Sequence, residues 1–106
     1  MCGDIHGQYY DFLNIFKLNG KPHPDHPYLF NGDFVDRGSF SAECIIALYA
    51  FKVANPDCIY LNRGNHENSD LNKMYGFEGE IRAKYDTDTF TLFTDSFKYL
   101  PLGHII

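Results

Sequence analysis

Apolar residues recur along the chain with the spacings of alternating helices and short buried strands. In residues 7–19 they stand at i, i+3, i+4 and i+7, which predicts an amphipathic helix with one buried face. Asn19 and Gly20 end this helix, and the three prolines within residues 21–27 predict a loop. Residues 28–30 are apolar and predict a short buried strand. The buried face of the first helix is expected to consist of Tyr9, Phe12, Leu13 and Phe16.

The alternation continues through the rest of the chain. Residues 39–55 predict a helix, with Ser39 or Ser41 as its N-cap and Glu43 in its first turn. Residues 58–61 predict a second buried strand. Three further helices are expected around residues 71–75, 78–85 and 89–100. The apolar faces of the second and the last helix consist of Ile45, Leu48 and Tyr49, and of Phe90, Phe93, Phe97 and Leu100.

The order of these elements predicts an α/β fold. Met1 and Cys2 are expected to be the end of an earlier strand, so that a βαβαβ layer is followed by helices. This alternation is typical of a parallel sheet with right-handed crossovers. At 106 residues the chain forms one domain at most.

Three polar clusters follow the three predicted strands. The first loop, residues 3–7, has the sequence GDIHG, the second loop, residues 32–38, has GDFVDRG, and the third loop, residues 64–67, has GNHE. Ligands of parallel sheets bind beyond the carboxyl ends of the strands. We therefore expect the three loops to converge in space although they are far apart in the sequence.

Four polar side chains in these loops suit a metal site. Asp4 and His6 lie two residues apart in an extended turn, so their side chains can project to the same side. Asp33 offers two carboxylate oxygens that could bridge two ions, and Asn65 offers a neutral carbonyl oxygen. This mixture of oxygen and nitrogen donors suits manganese, iron or zinc better than calcium.

The charge of this donor set favours a phosphate as the ligand. Two divalent cations would carry four positive charges, whereas Asp4 and Asp33 supply only two negative charges. A bridging hydroxide would still leave net positive charge at the site. Arg37 adds a planar guanidinium group that can hold two phosphate oxygens.

Each cluster by itself has a simpler interpretation. A single GDIHG is more often a turn with an incidental histidine, Asp36 beside Arg37 is more often a surface ion pair, and Asn65 beside His66 could be a turn. Their joint occurrence, in order and each after a predicted strand, favours a site. Glu67 is expected to cap a helix or to make structural hydrogen bonds rather than to bind a metal.

Composition narrows the classes of partner. The chain is 44% hydrophobic and 17% aromatic, which argues against disorder, and its net charge of -5 argues against a nucleic-acid partner. It contains neither an apolar stretch of about 18 residues nor a signal peptide, so we expect no membrane partner and a cytoplasmic location. The three cysteines form no CxxC pair, which favours reduced thiols. His23 and His26, in the proline-rich loop, are expected to be solvated.

With these three loops in view, the chain resembles the phosphoprotein phosphatase family of serine/threonine protein phosphatases. That family is marked by GDxHG, GDxVDRG and GNHE, and all three motifs are intact here. Residues 31–41 and 75–80 are most similar to the type 5 subfamily. The resemblance implies a calcineurin-like metallophosphoesterase fold over residues 1–106, as the N-terminal part of a catalytic domain truncated at both ends.

The resemblance also implies a set of metal ligands. Asp4, His6 and Asp33 would bind one divalent ion, while Asp33 and Asn65 would bind the other, with Asp33 as the bridge. Manganese is the expected ion, with iron and zinc as alternatives. The family completes its second metal site with two histidines, and its phosphate site with a second arginine, all downstream of this region. We therefore expect the 106-residue piece to be inactive by itself.

The implied reaction is the dephosphorylation of phosphoserine and phosphothreonine in proteins. A metal-bridging hydroxide would attack phosphorus in line with the leaving oxygen. His66, oriented by Asp36, would protonate that oxygen as a general acid. Tyr75 would border the substrate groove. The phosphate would be bound by Arg37, His6, Asn65 and His66.

Two other functions stay open on the sequence. The first is a related metallophosphoesterase that acts on nucleotides or small phosphates, and the second is a non-catalytic fragment that binds a partner. Residues 75–80 favour the protein phosphatases over the first alternative. The intact loop motifs argue against the second. Regulatory domains or subunits are expected to lie outside this chain, and the nucleus is a further expected location.

Overall fold

Two short parallel strands and five helices form the structure. The computed structural model describes residues 1–106, with α1 at Tyr9–Asn19, β1 at Tyr28–Phe30, α2 at Ser41–Ala54, β2 at Ile59–Leu61, α3 at Ser69–Tyr75, α4 at Phe77–Lys84 and α5 at Thr87–Phe97. β1 pairs with β2 in register from Tyr28 opposite Ile59 to Phe30 opposite Leu61. On the other side of β1, Cys2 forms a parallel bridge with Phe30. The predicted βαβαβ order and α/β class are therefore confirmed.

Aromatic side chains pack α1 onto the central strand. Tyr28 and Phe30 alternate with Leu29 along β1 and so face the same side of the sheet. The ring of Phe12 lies 5.7 Å from that of Phe30, and the ring of Phe16 lies 5.2 Å from that of Tyr28, between centroids. Of the predicted buried face of α1, Phe12 is fully buried, and Tyr9 and Phe16 are half-buried against the core. Leu13 is 42% exposed, because it lies at the solvent edge of the apolar stripe.

A second aromatic cluster joins the C-terminal helices. Phe77, at the start of α4, has its ring centroid 5.5 to 6.2 Å from the rings of three phenylalanines of α5. The hydroxyl groups of Tyr49 in α2 and Ser96 in α5 lie 2.8 Å apart and connect this cluster to the sheet layer. α5 ends at Phe97 rather than at Leu100. The three phenylalanines are Phe90, Phe93 and Phe97.

The N-terminus of α2 is capped from a distant helix rather than by a local serine. Neither Ser39 nor Ser41 acts as N-cap, and the hydroxyl of Ser41 is buried without a partner. Instead, the Glu80 carboxylate of α4 accepts hydrogen bonds from the amides of Ser41 at 3.1 Å and Ala42 at 2.5 Å. These amides are among the donors that a helix start leaves unpaired. The predicted local cap is therefore wrong.

The cysteines are unpaired thiols. Cys44 and Cys58 are buried and Cys2 is half-buried. Burial raises the pKa of the Cys44 thiol to about 12, with a further contribution from the negative charges of Glu43 and Glu80. Cys44 is thus a protonated core side chain at neutral pH. None of the five helices has the length and apolar character needed to span a bilayer.

We expect Glu80→Ala to destabilise the fold by about 1–3 kcal/mol, because two buried amides of α2 lose a charged acceptor. Urea unfolding followed by circular dichroism measures the change in the free energy of unfolding. Glu78→Ala is the matched control in the same helix, since Glu78 pairs at 2.6 Å with Arg82, which is 55% exposed. That control should cost less than about 1 kcal/mol. Equal losses in the two variants would contradict the capping role.

Candidate metal centre and active site

Backbone hydrogen bonds hold the first and second loops together. The amides of Ile5 and His6 both donate to the carbonyl oxygen of Asp33, each at 3.0 Å. The amide of Gly7 donates to the carbonyl of Phe34 at 3.0 Å. The predicted convergence of these two loops is confirmed. Asp4 and His6 are thereby placed beside Asp33.

Glu67 joins the second loop to the third. Its fully buried carboxylate accepts hydrogen bonds from the amides of Asp33 at 2.8 Å, Phe34 at 2.8 Å and Gly64 at 2.7 Å. Burial raises the pKa of Glu67, although the three amide hydrogen bonds act in the opposite direction. Glu67 is therefore the structural hydrogen-bonding residue that the sequence predicted.

The loops approach so closely that their backbone conformations are unusual. Gly32 has φ of 96°, and a Cβ atom there would lie 2.6 Å from the Cα atom of Gly64. Only glycine fits between the second and third loops at this position. The non-glycine residues with positive φ are His6 at 45°, Asp33 at 56°, Asp36 at 71° and Arg37 at 70°. All four are predicted site residues, and strain of this kind concentrates at functional sites.

Three side chains form a donor set that fits a metal ion. The ligand atoms of Asp4, His6 and Asp33 all lie within 4.8 Å of one another. Nδ1 of His6 lies 2.8 Å from the carbonyl oxygen of Val35, which can only accept, so Nδ1 carries the proton. Nε2 of His6 then presents a lone pair, 3.8 Å from Asp4 Oδ2. A backbone acceptor behind a histidine ligand is the usual way to orient it.

Asn65 lies against the same aspartate. One terminal atom of its amide group is 3.1 Å from Asp33 Oδ2 and 3.2 Å from Asp33 Oδ1. With nitrogen in that place the amide donates to the carboxylate, whereas oxygen there requires a cation between the two groups. Asp33 Oδ1 also accepts the amide of His66 at 2.9 Å. The structure thus places the Asn65 amide group against the carboxylate of Asp33.

His66 is bound to a buried aspartate. Its Nδ1 lies 2.8 Å from Oδ2 of Asp36, which is fully buried, while His66 is 4% exposed. Asp36 also accepts from Nδ2 of Asn72 at 2.9 Å and from the amide of Phe77 at 3.0 Å. The alternative of a surface ion pair between Asp36 and Arg37 is wrong. A carboxylate acceptor at Nδ1 leaves Nε2 of His66 free to face a ligand.

Pairwise contacts link four side chains of the three loops and α3. The rings of His6 and His66 meet edge to face with 4.7 Å between centroids. The ring of Tyr75 lies 5.3 Å from that of His66, and the Arg37 guanidinium carbon lies 5.5 Å from the Tyr75 centroid. The amide of Arg37 also donates to the carbonyl of Tyr75 at 2.9 Å. Arg37 is exposed and so is available to an anion.

The structure brings every predicted site residue to one place and adds one that the sequence did not reveal. His23 and His26 are exposed in the 21–27 segment, as predicted. Asn72 was missed, although its side chain contacts both Asp36 and His66. An asparagine inside a helix is unfavourable, which was the only local signal for it.

The chain is similar in sequence to a known family and to known proteins. The family model for calcineurin-like phosphoesterases matches residues 1–106. Serine/threonine-protein phosphatase T of Schizosaccharomyces pombe is 60% identical over 106 residues, which is 100% of this chain and 22% of that protein. Human serine/threonine-protein phosphatase 5 is 57% identical over 106 residues, which is 100% of this chain and 21% of that protein.

A solved structure shows the same fold. A protein serine/threonine phosphatase from Saccharomyces cerevisiae superposes with a TM-score of 0.94 and 54% sequence identity, over 95% of this chain and 32% of that one. The chain thus spans about a fifth of the length of these two curated relatives. The similarity to the type 5 subfamily is confirmed. Because the family model matches the whole length given, the chain belongs to the calcineurin-like phosphoesterase family.

Proposed function

We propose that this chain forms part of the catalytic site of a serine/threonine protein phosphatase, acting on phosphoserine and phosphothreonine in proteins of the cytoplasm and nucleus. The observation that carries the proposal is one juxtaposition. The donor set of Asp4, His6 and Asp33 lies beside His66, with 4.7 Å between the rings of the two histidines. A metal-binding donor set next to a proton donor suits phosphomonoester hydrolysis.

The donor set suits divalent ions. Asp4, His6 and Asp33 would hold one ion, and Asp33 and Asn65 would contribute to a second, with manganese preferred and iron or zinc as alternatives. When bound, such ions polarise phosphoryl oxygens and lower the pKa of water, which supplies the nucleophile. Two side chains are few for the second ion, so further ligands would have to come from outside residues 1–106.

The phosphate would be held by the exposed surface of the three loops. Arg37 is positioned by the hydrogen bond from its backbone amide to the Tyr75 carbonyl and by contact of its guanidinium group with the Tyr75 ring. The planar guanidinium group of Arg37 can donate hydrogen bonds to two phosphate oxygens. His6, Asn65 and His66 line the same position, and Tyr75 borders it, which would place the phosphorus atom near the donor set.

His66 would act on the leaving group. Cleavage of the ester P–O bond leaves an alkoxide on serine or threonine, which is a poor leaving group unless it is protonated. With a proton on both ring nitrogens, His66 would protonate that oxygen from Nε2, while the hydrogen bond from Nδ1 to Asp36 fixes the ring orientation. The products are the free hydroxyl side chain and inorganic phosphate, whose new oxygen comes from water.

A chimera tests this function. We define the phosphatase chimera as the Schizosaccharomyces pombe phosphatase in which this chain replaces the matching 106-residue segment. We expect the chimera to hydrolyse a phosphoserine peptide in the presence of manganese, whereas the 106-residue chain by itself should show no turnover above the blank. The reason is that Asp33 and Asn65 give the second ion only two ligands.

Turnover of the phosphopeptide by the isolated chain would show that the site is complete within residues 1–106. Circular dichroism of the isolated chain separates a folded, inactive chain from an unfolded one. A chimera that is folded and hydrolyses a dinucleotide but not the phosphopeptide would support the nucleotide-directed alternative.

We expect Asp33→Asn to abolish the activity of the chimera and to reduce sharply the content of both metal ions, because Asp33 is shared between the two sets of ligands. Metal analysis after dialysis measures the ions independently of activity. Asp57→Asn is the matched control, since it makes the same chemical change at an exposed turn residue. Two ions bound at the original affinity in Asp33→Asn would overturn the bridging role.

We expect His66→Asn to slow the hydrolysis of alkyl phosphates far more than that of aryl phosphates, whose leaving groups need less protonation. General acid catalysis typically contributes about 10²–10⁴-fold. Steady-state rates on a matched pair of substrates give the ratio, and the metal content should stay normal. His23→Asn, at an exposed histidine, serves as the control. Equal losses on both substrates would contradict the acid role of His66.

A further inference from the structure

Asn72 is a fully buried polar residue of α3 whose side chain contacts the candidate acid and its partner. Its Nδ2 atom lies 2.9 Å from Asp36 Oδ2 and 2.7 Å from the carbonyl oxygen of His66. An amide nitrogen carries two hydrogens, and here both are donated to this one pair of residues. We propose that Asn72 is a positioning residue for His66, a role that rests on the proposed function of His66 as general acid.

The network fixes which way the Asn72 amide faces. Both acceptors, the Asp36 carboxylate and the His66 carbonyl, can only accept hydrogen bonds. An amide oxygen in place of Nδ2 would face two other oxygens, so the reversed orientation is repulsive. In the orientation observed, Oδ1 of Asn72 is buried without a partner. The site therefore requires two donors, and it leaves the acceptor of the amide unused at some cost in free energy.

Asn72 restrains the carboxylate that orients His66. Oδ2 of Asp36 accepts from both His66 Nδ1 and Asn72 Nδ2, whereas Oδ1 accepts from the Phe77 amide. Three donors on two oxygens hold the carboxylate plane in one orientation. Without the Asn72 bond, Oδ2 would have only the histidine as a donor. The histidine ring and its carboxylate could then rotate together away from the productive geometry.

Asn72 also restrains the main chain that carries His66. The hydrogen bond from Asn72 Nδ2 to the His66 carbonyl oxygen is 2.7 Å long. It is shorter than the bond from Asn72 to Asp36, at 2.9 Å, and the bond between His66 and Asp36, at 2.8 Å. The His66 amide is held separately by Asp33 Oδ1 at 2.9 Å. The backbone of His66 is thus fixed on its amide side by a candidate metal ligand and on its carbonyl side by Asn72. Asn72 is fully buried and its side chain donates hydrogen bonds to Asp36 and His66, so it would act through these two residues.

The test compares alkyl and aryl phosphates in the phosphatase chimera. Asn72→Leu keeps the side-chain volume and removes both donors. We expect its kcat on the alkyl phosphate to fall roughly 10–100-fold more than on the aryl phosphate, by analogy with the loss that follows removal of an outer hydrogen-bond partner of a metal-binding histidine. KM and metal content should change little. Asn72→Ser, which keeps one donor, should give an intermediate ratio, and it replaces Asn72→Leu if that variant does not fold.

Asn68→Ala provides the matched control at the N-cap of the same helix. Asn68 caps α3 through hydrogen bonds to the amides of Asp70 at 2.9 Å and Leu71 at 3.4 Å, and it does not contact Asp36 or His66. Its loss weakens α3 but should lower both rates equally. A change in the alkyl-to-aryl ratio as large as that of Asn72→Leu would show that Asn72 acts only by stabilising the helix, and would overturn the proposal.

A double variant separates this inference from the proposed function. If Asn72 acts through His66, then adding Asn72→Leu to His66→Asn should not change the substrate ratio further. If His66→Asn leaves the ratio of alkyl to aryl rates unchanged, His66 is not the general acid, and the positioning role of Asn72 is overturned as well. A ratio that changes in His66→Asn but not in the Asn72 variants overturns the positioning role alone.

Discussion

The buried carboxylate of Glu67 is the interaction on which the site depends. It accepts hydrogen bonds from three backbone amides, two in the second loop and one in the third. Placing a carboxylate in the interior costs desolvation, which is why its pKa is raised, and hydrogen bonds to a charged group typically return about 1.5–3 kcal/mol each. Because Asp33 lies on one of the joined loops and His66 on the other, this contact sets the distance between these two residues.

The aromatic core supplies the rigidity that the Glu67 hydrogen bonds require to hold the second and third loops in place. Each strand is only three residues long, so the hydrogen bonds of the sheet cannot by themselves hold the loops in place. Phe12 and Phe16 pack α1 against β1, and Phe77 packs α4 against α5. Phe77 takes part both in the aromatic core and in the hydrogen bonding of the site. Its ring is in the core, while its backbone amide donates to the buried Asp36. Packing and electrostatics are thus connected at a single residue.

Strained backbone and buried charge occur together in the second loop. Asp33, Asp36 and Arg37 all have positive φ, and Asp36 is completely buried. Each feature is unfavourable in isolation, of order 1–3 kcal/mol for the backbone conformation. The hydrogen bonds to Asp36 and the glycines at residues 32 and 38 allow the loop to keep this conformation. It directs Asp36 inward to His66 and Arg37 outward to solvent, although the two residues are adjacent.

The sequence by itself determined the order of helices and strands, the three loops and the residues now found together in the site. These features depend on local periodicity and on short motifs after strands, and both are properties of neighbouring residues. Only the tertiary structure decided that Glu80 caps α2, that Leu13 stays exposed and that Asn72 binds Asp36 and His66. The contact of Glu80 with α2 and the contact of Asn72 with Asp36 each join residues more than 35 positions apart in the sequence. No local pattern encodes which distant donor meets which acceptor, since that choice is made when the helices pack.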